Sequence, residues 1–119
     1  MAALTVTAAT AAGATPAAAA QITAWSGTGD AIAASDIGAK GVVCIVANAS
    51  GGSLDFRVND SGSTDAGNAA ANGYTTVTVP NNATRWVYVG IANLDTTGAS
   101  VKVGASTSNA AFTVQCIRY

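Results

Sequence analysis

Period-two alternation of apolar and polar residues is the main pattern along this chain. It recurs in several short segments, each of which ends at a cluster of turn-forming residues. Alternation of this kind places one face of a β-strand in the core and the other face in solvent. The predicted core residues are Leu54, Phe56, Val58, Val77, Val79, Val101, Val103, Phe112 and Val114.

The segments between the predicted strands are rich in Asn, Gly, Ser and Asp, as in residues 48–53 and 59–63. These residue types favour turns. Because residues 48–53 join two clear strands, they predict a β-hairpin. Helix-forming signals are restricted to short alanine runs. About seven to eight short strands with regular turns predict one all-β domain over residues 1–119, either an antiparallel β-sandwich or a jelly-roll-like fold.

Two segments, residues 42–47 and 86–89, are apolar on both faces. Such runs are typical of central strands, or of strands whose second face meets another surface. In the second segment, alternation places valines on one face and Trp86 and Tyr88 on the other. Two interpretations stay open: both faces are buried within the sandwich, or the aromatic pair faces outward as an anchor for protein contacts.

The first part of the chain, residues 1–16, carries no charge and has little bulk apart from Leu4 and Val6. It lacks the cationic start and continuous apolar stretch of a secretion signal, so we expect it to belong to the mature protein. Residues 4–7 have strand periodicity. They predict either an extended arm that adds a strand to a neighbouring protein, or the ordinary first strand of the same sandwich.

Composition narrows the possible functions. The 119 residues include no histidine, every acidic residue is an aspartate, and five cations leave a net charge of −1. Without histidine, Ser-His-Asp and Cys-His catalysis is excluded, and we expect no enzyme activity, no catalytic residue, no cofactor and no metal site. Five scattered cations predict no nucleic-acid binding. Residues 42–47, the longest strongly apolar run, fall far short of the ~20 needed to span a membrane.

Cys44 and Cys116 both lie among strand-forming residues. Two cysteines allow only one intrachain disulfide, but nothing in the sequence shows that their strands are neighbours. We therefore interpret them as buried free thiols, and whether they pair stays open.

Four segments carry a resemblance to a known family. They are residues 4–9 (LTVTAA), residues 42–52 (VVCIVANASGG), residues 79–86 (VPNNATRW) and residues 117–119 (IRY). In these segments the chain resembles small head decoration, or cement, proteins of tailed bacteriophages, especially phages of actinobacteria. The turn and strand of residues 79–86 are the most distinctive of the four.

The resemblance implies a structural virion protein without catalytic residues, located on the outer surface of the phage head, where it stabilises the capsid lattice. The implied partner is the major capsid protein, with a homo-oligomer, most simply a trimer, at threefold positions. A tail-associated or receptor- or carbohydrate-binding module of the virion is the alternative. The candidate protein-contact residues are Leu4, Val6, Trp86, Tyr88, Arg118 and Tyr119.

Overall fold

Strands dominate the chain. A computed structural model describes residues 2–25, 29–38, 40–59, 74–94 and 99–118. Within these residues, one helical turn, α1 (Ala34–Ile37), and one 3-10 turn (Ile91–Asn93) accompany ten strands. The strands are β1 (Ala2–Ala3), β2 (Val6–Ala8), β3 (Ala20–Gln21), β4 (Asp30–Ala33), β5 (Val42–Asn48), β6 (Leu54–Asn59), β7 (Tyr74–Val79), β8 (Ala83–Val89), β9 (Ser100–Ala105) and β10 (Phe112–Arg118).

The strands form two sheets that face each other across the core. The first sheet has the order β1-β4-β9-β6-β7, and the second has the order β2-β10-β5-β8, with β3 also paired to β10. Most pairs are antiparallel, whereas β1 with β4 and β2 with β10 are parallel. The predicted all-β sandwich is therefore confirmed. The structure adds the short strands β1 and β4, whose alanine-rich sequences show no clear alternation.

The core lies between the two sheets and consists mainly of the side chains that alternation points inward. Of the predicted core residues, Leu54 and Val77 are only partly buried and pack against the core, and the other seven are buried. Ile32, Ile37, Val42, Val46 and Val89 complete much of the remaining volume. A one-residue change of register would turn the apolar side chains of a strand outward. Their burial therefore shows that each of these strands has its predicted face toward the core.

The predicted hairpin at residues 48–53 is wrong. Strand β5 belongs to the second sheet and β6 to the first, so residues 48–53 form a corner that crosses between sheets. A second corner, residues 80–82, carries the chain back from β7 to β8. There the amide of Ala83 donates to the carbonyl of Pro80 at 3.1 Å, and Asn82 adopts a left-handed conformation with φ of 59°. Asparagine tolerates this conformation better than most residues.

The beginning of the chain is part of the sandwich. Strands β1 and β2 pair with β4 and β10, and the amide of Leu4 between them donates to the carbonyl of Ala31 at 2.8 Å. The Leu4 side chain is buried in the core. Of the two interpretations of this segment, the structure therefore favours the first strand over the arm for residues 2–8. Residues 9–19 continue as a largely exposed strip outside regular strands.

Candidate functional site

The most exposed large apolar side chains in the described residues lie on or next to strand β8. Trp86 is 74% exposed and Tyr88 is 58% exposed, so the aromatic pair faces outward and the interpretation that both faces of this strand are buried is wrong. Val89 on the opposite face is buried, and Val87 is half-buried. Ile91, which follows the strand, is 65% exposed and was not anticipated.

Strand β5 supplies the rest of this apolar surface. Trp86 lies directly opposite Ile45, and Tyr88 lies opposite Val43. Side chains of directly paired residues share one face of a sheet, and both aliphatic residues are half-buried. We call these four residues the aromatic face. The apolar character of residues 42–47 on both sides is thereby explained, because β5 contributes one side to the core and the other to this face.

Two glycines fix the position of the Tyr88 ring. A Cβ atom on Gly41 would lie 2.5 Å from the Tyr88 hydroxyl, and one on Gly90 would lie 2.9 Å from ring atoms of Tyr88. Gly41 also has a φ of +82°, which L side chains rarely adopt. The tyrosine ring therefore lies close to the backbone of Gly41, just before β5, and of Gly90, just after its own strand. This ring is held in place before any partner binds, which lowers the entropy that binding would cost.

Strand β8 is also the last strand of its sheet, and among the described residues no other strand pairs with its outer edge. An edge strand leaves backbone amides and carbonyls available to another chain. The side chains on the outer face of β8 and β5, including Thr84 and Ala47, are uncharged. This region combines an apolar surface, a rigid aromatic anchor and an open backbone edge, which together suit contact with a protein.

The other predicted contact residues do not join the aromatic face. Leu4 is buried and Val6 is half-buried against the core, so both side chains help to complete the chain's own sandwich. Their role as contact residues stays a prediction. Arg118 is half-buried, and its Nη1 atom donates to the carbonyls of Ser35 and Asp36 at 3.4 and 3.5 Å. It therefore holds α1 instead of facing outward. Tyr119 lies outside the described residues.

The opposite sheet carries a second aromatic group, in which Trp25 is buried and Tyr74 is half-buried. Trp25 is fully buried over Gly104 of β9, and its ring centre lies 5.3 Å from that of Tyr74. The Nζ atom of Lys102 lies 4.4 Å from the Trp25 ring centre and donates to the Trp25 carbonyl at 3.2 Å. Arg57 lies over Tyr74 at 5.0 Å. This cation–π layer covers part of the first sheet, so Trp25 stabilises the fold and is not a contact residue.

The two cysteines meet in the centre of the second sheet. Cys44 and Cys116 are directly paired residues of β5 and β10, and their sulfur atoms lie 3.9 Å apart. Both are buried free thiols, as predicted. The hydrogen bond to Cys116 and burial raise the pKa of the Cys44 thiol well above its usual value. The same hydrogen bond lowers the pKa of Cys116.

Within the described residues, no group of three or more Cys, Asp or Glu side chains is placed to hold a metal ion. No helix in this part of the chain is long and apolar enough to cross a membrane. Comparison with protein-family models, with characterised proteins and with solved structures finds no significant match to this chain.

Proposed function

We propose that this chain is a structural virion protein of a tailed bacteriophage that binds the outside of the head and stabilises the capsid lattice. The observation that carries the proposal is the aromatic face: an exposed Trp86 and a Tyr88 fixed by flanking glycines, at the open edge of a sandwich. The sequence resemblance of residues 42–52 and 79–86 to head decoration proteins supports the identity of the partner.

Exposed tryptophan and tyrosine are the residue types that most often dominate the energetics of protein interfaces. A standard interface buries about 800 Å² on each partner, whereas a single aromatic side chain buries roughly 150–250 Å². The aromatic face is therefore the centre of the contact, and the surrounding surface of β8 completes it. Because the face is uncharged, its partner is an apolar protein surface and not a nucleic acid.

The action on the capsid needs no chemistry, so we propose a protein without enzymatic activity. A subunit that binds the assembled lattice, but not dissociated capsid protein, shifts the equilibrium toward the shell. Because many copies of the subunit bind one shell, a modest stabilisation by each contact adds up over the whole particle. A trimer suits threefold positions because a cyclic oligomer matches the symmetry of the lattice. We propose this state for the bound protein, with the major capsid protein as the partner of each subunit.

Sedimentation with purified heads that lack this polypeptide tests the proposal. Trp86→Ala should weaken binding about 30-fold or more, because loss of a central aromatic residue costs at least ~2 kcal/mol. Trp86→Phe should retain part of the affinity. Thr76→Ala, an exposed position on the opposite sheet, is the control and should bind normally. Salt should have little effect, since the face is uncharged.

Unchanged binding by Trp86→Ala, or a polypeptide located only in purified tails, would overturn this proposal. The carbohydrate-binding alternative would be supported instead if the unmodified protein bound a host-surface glycan and not the head, and if Trp86→Ala abolished that glycan binding. All variants are compared by circular dichroism first. Because Trp86 is exposed, its substitution should leave the stability within ~0.5 kcal/mol, so loss of binding reports the surface and not the fold.

A further inference from the structure

The cysteine pair has the backbone geometry of a cross-strand disulfide. The amide of Ala49, just after β5, donates to the carbonyl of Ala111, just before β10, which makes these two opposite residues a hydrogen-bonded pair that continues the ladder. Hydrogen-bonded and non-hydrogen-bonded pairs alternate along an antiparallel ladder, so Cys44 and Cys116 form a non-hydrogen-bonded pair. Cα atoms at such a pair are about 4.5 Å apart, which lies within the range that disulfides span.

The two sulfur atoms differ in access. A cavity of about 110 Å³ lies between the start of the chain and β10, and its lining includes Leu4, Ala17, Gln115 and Cys116. This volume holds several molecules the size of water. Cys44 does not line the cavity and is fully buried, whereas Cys116 is 4% exposed. A small oxidant that enters the cavity therefore contacts Cys116, whose sulfur atom lies 3.9 Å from that of Cys44.

We propose that Cys44 and Cys116 form a peroxide-responsive dithiol in which Cys116 is oxidised first and Cys44 resolves it to a disulfide. The Cys116 thiolate attacks hydrogen peroxide, the O–O bond breaks, and Cys116 becomes a sulfenic acid while hydroxide leaves and takes up a proton as water. The Cys44 sulfur then attacks the Cys116 sulfur, the S–O bond breaks, and a second water leaves. Two thiols and one peroxide thus give one disulfide and two waters.

The hydrogen bond between the sulfurs supports these roles. The hydrogen bond between the two sulfur atoms raises the pKa of Cys44 and lowers the pKa of Cys116. The thiolate, which is the nucleophilic form of cysteine, therefore forms more readily on Cys116. The product would join the two central strands of the second sheet across a sequence separation of 72 residues. Closing so long a loop in the unfolded chain stabilises the folded state.

The first test is exposure of the folded, unmodified protein to dilute hydrogen peroxide, followed by alkylation in denaturant and mass spectrometry. We expect an intact mass lower by two hydrogen atoms, a cross-linked peptide containing both cysteines, and a Tm higher by about 10 °C. Reduction with dithiothreitol should reverse all three. Thiols that both remain alkylatable while the protein stays folded would overturn the proposal.

The second test separates the roles of the two thiols with dimedone, which traps sulfenic acids. In Cys44→Ala, Cys116 should be labelled, since no thiol resolves it. In Cys116→Ala, Cys44 should remain an unmodified thiol. Labelling of Cys44 instead, or direct conversion of Cys116 to sulfinic acid in the unmodified protein, would contradict the assignment. The measurement on the unmodified protein decides the matter if either variant does not fold.

Discussion

The Asn48 side chain connects the two corners of the sandwich, and its removal tests the account of the fold most directly. The residue is 2% exposed. Its Nδ2 atom donates to the carbonyls of Gly52 and Val79, both at 2.8 Å, and its Oδ1 atom accepts from the amide of Ser50 at 2.9 Å. It thus bridges the corner that leaves β5 to the end of β7, which belongs to the other sheet.

Asn48→Ala should destabilise the protein by about 3 kcal/mol. Each of the three hydrogen bonds contributes roughly 0.5–1.5 kcal/mol net. The upper end of this range applies where a buried carbonyl loses its donor. The bond to the Val79 carbonyl is the buried one. For a domain of this size the loss corresponds to a fall in Tm of about 10 °C.

Asn48→Asp adds a dependence on pH. The substitution places a carboxylate where an amide donated to two carbonyl oxygens, and the resulting repulsion and burial should raise the pKa of the new carboxyl above its unfolded value of about 3.9. The folded state then binds the proton more tightly than the unfolded state. At pH 7, Asn48→Asp should be less stable than Asn48→Ala. Its stability relative to the unmodified protein should recover as pH falls through the raised pKa.

Urea unfolding followed by circular dichroism measures these differences, with Asn81→Ala as the matched control. Asn81 lies at the same pair of corners, but it is exposed and accepts one hydrogen bond, from the amide of Gly51 at 2.9 Å. We expect its removal to cost about 0.5–1 kcal/mol. Equal losses for Asn48→Ala and Asn81→Ala would refute the reasoning, as would an Asn48→Asp variant that is no less stable than Asn48→Ala at pH 7.

Other changes test the core, the aromatic face and the start of the chain. Phe56→Ala should lower the free energy of unfolding by about 3–5 kcal/mol, because the side chain is fully buried, and a loss below ~1 kcal/mol in urea titration would contradict this. Gly41→Ala should destabilise by about 1–2 kcal/mol and displace Tyr88, because the position has a positive φ and no room for a Cβ atom; unchanged tyrosine fluorescence would speak against it. Deletion of residues 2–9 should abolish cooperative unfolding, because it removes Leu4 and two strands, whereas normal stability with lost head binding would restore the arm interpretation.

Alternation predicted the strands well because burial on one face imposes a period of two on any half-buried strand. Phe56 and Val114 could therefore be assigned to the core from their neighbours in sequence alone. The corner at residues 48–53 could not be assigned in this way. Its residues favour a turn whether the next strand joins the same sheet or crosses to the other one, and only long-range pairing distinguishes the two.

Long-range contacts also decide the surroundings of several individual side chains, which neighbouring residues in the sequence do not predict. Lys102 alternates with two core valines, a pattern that places a side chain in solvent, yet Trp25 covers it, a contact across a sequence separation of 77. The pairing of Cys44 with Cys116 likewise depends on the register of two distant strands. Trp86 and Tyr88 were recognisable because their signal is local: two aromatic residues lie on the face opposite Val87 and Val89 of the same strand, of which Val89 is buried and Val87 is half-buried.

Strand β5 connects these features and also keeps their tests separate. Its inward residues, among them Cys44 and Val46, are buried in the core, and Asn48 at its end holds the corners. Its outward residues, Val43 and Ile45, lie beside the aromatic pair. Because successive side chains of a strand point to opposite faces, substitutions at outward positions should change binding with little effect on stability. Inward substitutions should change stability first, and binding only as a consequence.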